Sequence, residues 1–199
     1  MTETKWDVLD RAYATLREAV AGVPADGWDR PTPCAQWNVT QVLQHAAGDQ
    51  LAYAARLTGG PGPAEDPFAP SGSLAGPPEG LLDPALAAAA EAFSAVAPGD
   101  LHVAVPLPPF TVPAATAVGA AALDAAVHAW DITVATGRPP ALTDALAAAL
   151  RPAADALAEP LRGFAYGPAL TLAPGADHGA AADLLAFLGR DPAWAAPAV

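Results

Sequence analysis

The stretch AALDAAVHAWDITVATG, from Ala121 to Gly137, decides the fold of this chain. It has the character of the last part of a helix that stops at Gly137, because glycine takes the left-handed conformation of a helix end without strain. Almost every residue in it is apolar, which places the helix inside a bundle. Against that background Asp124 and His128 stand four residues apart. At about 100° and 1.5 Å per residue they are offset by only ~40° and ~6 Å, so both side chains can reach one object. A carboxylate and an imidazole in an apolar interior are costly unless something satisfies them, and a divalent metal would satisfy both. Asp131, one turn beyond His128, is the expected partner for the far side of that imidazole.

Working outward, a third ligand is needed. Asn38 and Gln41 form a capping-box pattern that opens a helix running to about Leu57, with Gly59 and Gly60 to stop it. Val42, Leu43, Ala46, Ala47, Leu51 and Ala54 make its core face. His45 lies at the edge of that stripe and is the other histidine set in a strong helical pattern, so it is the candidate third ligand. Zinc with three protein ligands keeps an open position for water or substrate. Asp49 follows one turn later on the same side. It is either a solvated carboxylate or a general base and partner for His45. Arg56 shares that side but lies roughly 16 Å along the axis from His45, beyond contact with a metal.

The remaining segments also favour an all-α protein. A helix is predicted over Thr4–Ala21, with Trp6, Leu9, Tyr13, Leu16 and Val20 on one face. Residues 23–37 cross as an irregular loop. The Pro/Gly-rich segment 59–82 reads as a loop that either closes over a cavity mouth, pinned by Phe68, Leu74, Leu81 and Leu82, or hangs loose. Asp83-Pro84 is expected to open a third helix to about Val96. LHVAVPLPPFTVP should be extended and packed along the outside, ahead of the central helix from about Ala114. Thr143 caps a fifth helix to roughly Ala158, which Pro152 is expected to kink or break. A sixth short helix ends at Gly189, and Trp194 is expected to fold back on the bundle. The whole, 1–199, reads as a single four-helix bundle domain with a C-terminal extension, 138–199, packed on it.

A net charge of −12 and a pI near 4.4 argue against nucleic acid, since a phosphate backbone demands a basic surface. One lysine, Lys5, and scattered arginines give no basic amphipathic face for a membrane surface. Polar residues and prolines interrupt every hydrophobic run, and the N-terminus lacks a signal-peptide core. A single cysteine, Cys34, fits a reducing cytoplasm. Cys34 itself, in the rigid PTPC turn, is read as a packed small side chain rather than a nucleophile, because no neighbour in sequence activates it. His102 and His178 read as surface residues, and Trp37 and Trp130 as core.

The segments WDRPTPCAQWNVTQVLQHAAG, ALDAAVHAWDITVATG and LLAFLGRDPAW, in that order and spacing, resemble an actinobacterial family. It is the DinB-like, mycothiol-dependent maleylpyruvate isomerase type of metal-binding protein. The resemblance implies a four-helix bundle with a divalent metal, usually zinc, held by a histidine on the second helix and an acid-x-x-x-His pair on a later one. Those positions are His45, Asp124 and His128, the three that spacing also selects. It further implies an isomerase or transferase whose metal activates the thiol of mycothiol. The chain departs from the isomerase in carrying Asp124 where that enzyme has glutamate, and in a reduced C-terminal part. The donor types also suit nickel, iron or manganese.

The expected function is therefore metal-dependent thiol transfer or isomerisation on a small electrophilic substrate, with mycothiol or another low-molecular-weight thiol as cosubstrate. The alternatives are a non-catalytic metal- or small-molecule-binding stress-response bundle, and a metal-free bundle recruited to specialised metabolism. A homodimer is left open.

Overall fold

The computed structural model describes residues 6–173 and 178–197. Six helices dominate them, with one two-stranded ribbon, as an all-α DinB-like bundle requires. The first helix, α1, spans Asp7–Ala21; its expected start at Thr4 lies outside the described residues. The second, α2, spans Val39–Thr58. Its capping box forms as anticipated: Asn38 Oδ1 accepts from Gln41 N at 2.9 Å, and Gln41 Oε1 accepts from Asn38 N at 3.0 Å. Gly59 ends it at φ 72°. The central helix, here α4, spans Ala114–Ala135 and buries 18 of its 22 residues, which explains why its sequence is apolar all round. It packs against α1, α2 and the fifth helix, α5, Asp144–Leu157. The third helix, α3, packs on α1 and α2 and closes the bundle.

Three expectations are corrected. First, α3 spans Pro78–Ser94, so residues 78–82 belong to a helix and not to the loop. Pro77-Pro78-Glu79 supplies the helix start, with proline in the first turn and an acid at the positive end. Pro84 sits inside the helix on an exposed face, where water can take the carbonyl that its missing N–H leaves free. Second, Pro152 likewise faces outward, and α5 runs through it to Leu157. Third, the extended segment forms strands β1, Val103–Ala104, and β2, Thr111–Val112, paired antiparallel. It does not lie along the outside: Val103, Val105 and Val112 are buried, because alternate residues of a ribbon point to the same side.

The last helix, α6, spans Gly179–Phe187 and packs on α5. Gly189 then takes φ 84°, and Trp194 packs back on the core as anticipated. Close approach of α4 and α5 rests on Gly119, where an added Cβ would lie 2.7 Å from Ala153 Cβ. Among the described residues, no helix is long and apolar enough to cross a membrane.

Candidate metal centre

His45 on α2 and Asp124 and His128 on α4 meet where the two helices face each other. One ligand atom from each lies within 4.8 Å of the others. His45 Nδ1 donates to the Pro67 carbonyl at 2.9 Å, and His128 Nδ1 donates to Asp131 Oδ2 at 2.9 Å. Both acceptors lack a proton to give, so each imidazole carries its proton on Nδ1 and turns Nε2 inward. The two Nε2 atoms lie 3.7 Å and 3.3 Å from the same oxygen, Asp124 Oδ1. Three lone-pair-bearing atoms thus converge on one point, which is stable only with a positive charge between them.

Each ligand is held from behind. Asp124 Oδ2 accepts from Gln50 Nε2 at 3.0 Å, and Gln50, fully buried, also donates to the Ala121 carbonyl and accepts from Tyr13 Oη. Asp131 accepts from Arg190 Nε and Nη2, each at 3.0 Å. Arg190 Nη2 also lies 3.2 Å from Cys34 Sγ, and that thiol donates to Asp131 at 3.3 Å. The reading of Cys34 as merely a packed side chain is therefore corrected: it joins a polar network through a residue 156 positions away. Cys34, His128 and Asp131 also lie at metal-ligand spacing. There the guanidinium already supplies the cation, which leaves the Asp124 side of His128 as the place for an ion.

Electrostatics follow from this geometry. Burial, together with the charge of His128, pushes His45 down to about 4, so it is a neutral donor at ordinary pH. Burial also opposes charge on His128, but hydrogen bonds to Asp124, Asp131 and Cys34 outweigh it and hold the imidazole well above its usual range. A proton on His128 Nε2 and a divalent cation are thus alternatives for the position beside Asp124. Asp131, despite burial, is held well below the usual carboxylate range by Arg190 and His128. Burial and then the charge of Asp124 push Asp49 well above it.

Asp49 is brought in rather than left solvated: its side chain is 14% exposed, and its Oδ2 lies 3.6 Å from His45 Nε2. It lines a cavity of about 680 Å³ whose walls also include the three clustered residues, Trp37, Phe68, Phe164 and Arg190. The segment 59–77 covers one side. Pro67 abuts Gly48, where an added Cβ would come within 2.9 Å of its ring, and Gln44 bonds Gly72 and Ser73. Phe68 therefore sits against His45, with ring centroids 5.2 Å apart. Arg56 is exposed beside Phe110, and His102 is exposed, both as expected. His178 is half-buried and bonds the Ala173 carbonyl. Trp130 is buried in the core, whereas Trp37 is half-buried and packs on the His45 ring.

Fold and cluster together define a DinB-like helical bundle with a His–Asp–His constellation shared between its second and fourth helices. The chain belongs to the family of the mycothiol maleylpyruvate isomerase N-terminal domain, whose model matches residues 9–133. That span contains every clustered residue except Arg190. The chain is 33% identical over 152 residues, 75% of its own length and 77% of theirs, to two uncharacterized proteins of Mycobacterium tuberculosis, MT0763 of strain CDC 1551 / Oshkosh and Rv0738 of strain ATCC 25618 / H37Rv. No solved structure matches the chain at a significant level.

Proposed function

We propose that this chain is a metal-dependent thiol transferase or isomerase, with His45, Asp124 and His128 holding a divalent cation, most suitably zinc. The observation that carries the reading is the pair of imidazoles whose Nδ1 atoms face proton-free acceptors, which turns both Nε2 atoms on one oxygen of Asp124. Two nitrogens and one carboxylate oxygen suit zinc, which with three protein ligands would keep a position for water or a thiol. Such a cation, when bound, stabilises a coordinated thiolate and so supplies a nucleophile at neutral pH. Family membership supports mycothiol, or a thiol like it, as the cosubstrate.

The protein's own residues account for the rest. Asp131, backed by Arg190, keeps His128 oriented, and the Pro67 carbonyl does the same for His45. Gln50 keeps Asp124 Oδ2 occupied, so that Oδ1 alone faces the cation position. Asp49 lies beside His45 on the cavity wall, placed to take the proton released by the thiol. As the sulfur–carbon bond forms, an electron pair of the electrophile moves to the neighbouring atom, and Asp49 returns the proton there. Retaining the adduct gives transfer; expelling the thiol after rotation gives isomerisation.

The test is turnover of electrophilic substrates with and without a low-molecular-weight thiol. Thiol-dependent turnover that disappears in His128→Ala, while the circular dichroism spectrum is kept, is the expected result. Equal rates in the two proteins would exclude the mechanism.

A further inference from the structure

The cavity walls carry a charge pattern and a ring pattern that bear on which molecule enters. We infer that the site takes a neutral aromatic electrophile and disfavours small dicarboxylates. The word electrophile rests on the thiol-transfer reading; the selection by the wall does not depend on it.

Consider charge first. Asp49 and Asp124 are the carboxylates on the wall, and Arg190 is the one lysine or arginine there among the described residues. Its Nε and Nη2 are committed to Asp131 and Cys34, so the Nε–Nη2 edge is not available as a fork to a second carboxylate. Planar carboxylate recognition ordinarily relies on such a fork. Asp124, and Asp49 when ionised, would counter the charge of a divalent cation held there. A substrate carboxylate that bound such a cation would compete there with the thiol. A second carboxylate would be desolvated beside Asp49 and Asp124 with no cationic fork to pair it, which costs far more than burying a neutral group.

The rings argue in the same direction. Phe164 stands at the rim, 62% exposed, in contact with Phe68 at 5.0 Å between centroids. Phe68 touches His45 at 5.2 Å, and His45 touches Trp37 at 4.6 Å. A continuous run of aromatic faces and edges thus leads from solvent to a clustered imidazole, and flat rings pack on such surfaces in stacked or edge-on contact. The hydroxyls of Tyr53 and Tyr166 on the same wall have no hydrogen-bond partner among the described residues. Burial keeps both phenols neutral, with Tyr166 pushed up to about 12, so they offer donors to an uncharged oxygen such as a ketone.

The experiment is isothermal titration of the chain, both stripped of metal and loaded with Zn2+, with acetophenone and with fumarate. Acetophenone is expected to bind at least tenfold more tightly than fumarate in both forms. Phe164→Ala is expected to weaken acetophenone binding, and Phe164→Arg, exposed at the rim, to tighten fumarate binding. Fumarate binding to the metal-free chain as tightly as acetophenone would overturn the inference. Tight fumarate binding confined to the Zn2+-loaded chain would also overturn it, while leaving the metal reading intact. Preference for acetophenone in a chain that takes up no Zn2+ would uphold the inference and remove the metal reading.

Discussion

Replacing Arg190 by methionine strands a buried carboxylate. Asp131 is wholly buried, and two of the contacts to its oxygens, from Arg190 Nε and Nη2 at 3.0 Å each, disappear together. His128 Nδ1 and the Cys34 thiol remain as its donors. Removing one partner of a buried ion pair costs about 3–5 kcal/mol. That is a large share of a typical stability of about 5–15 kcal/mol. Each kcal/mol moves the melting temperature of a chain this size by about 2–4 °C, so the expected fall is roughly 6–20 °C. The double variant Arg190→Met/Asp131→Asn should recover much of the loss, because the amide oxygen still accepts from His128 without leaving a charge. Urea unfolding followed by far-ultraviolet circular dichroism, with chelator present throughout, gives both numbers. A loss under about 1 kcal/mol for Arg190→Met at unchanged m-value would refute the claim that this pair braces the site.

Gln50→Leu frees Asp124 Oδ2 and leaves Tyr13 Oη without its acceptor, so Zn2+ affinity in chelator competition should fall by about 10–100-fold. Unchanged affinity would show that Asp124 needs no such brace. Gly119→Ala forces a methyl to within 2.7 Å of Ala153 Cβ. Overpacking costs about 1–3 kcal/mol against a gain of about 1 kcal/mol in helix propensity, so thermal unfolding should register a net loss of up to ~2 kcal/mol. A stabilised variant would contradict the packing of α4 on α5. The proton held on His128 gives the metal-free protein stability that is present below about pH 6.5 and lost as pH rises through the raised value. A cation competes with that proton, so Zn2+ affinity should rise about tenfold per pH unit between pH 6 and 7. A flat profile would mean that His128 is not a ligand.

Local sequence carried the parts of this site that depend on helix periodicity. Asp124 and His128 are four residues apart, and Asp131 is one turn on, so their shared direction follows from the helix alone. Asn38 and Gln41 announced the start of α2 in the same way, and so fixed the face on which His45 falls. Two prolines misled, Pro84 as a helix-start signal and Pro152 as a break: both face water, where the freed carbonyl is solvated and a helix can run through. Arg190, Gln50, Tyr13 and the contacts of Cys34 were not legible, because they depend on tertiary neighbours. Arg190 reaches Asp131 across 59 positions and Gln50 reaches Asp124 across 74, distances at which no spacing rule operates. Gln50 carries one usable signal in retrospect: it is a polar residue set among the apolar positions of α2.

The central claim is that His45, Asp124 and His128 share one cation, and metal analysis of the purified chain tests it most directly. The wild-type protein, loaded with Zn2+ and dialysed, should retain close to one metal per chain, and His45→Ala and His128→Ala should each lose it. A wild-type stoichiometry near zero, or a stoichiometry indifferent to either histidine, would contradict the account.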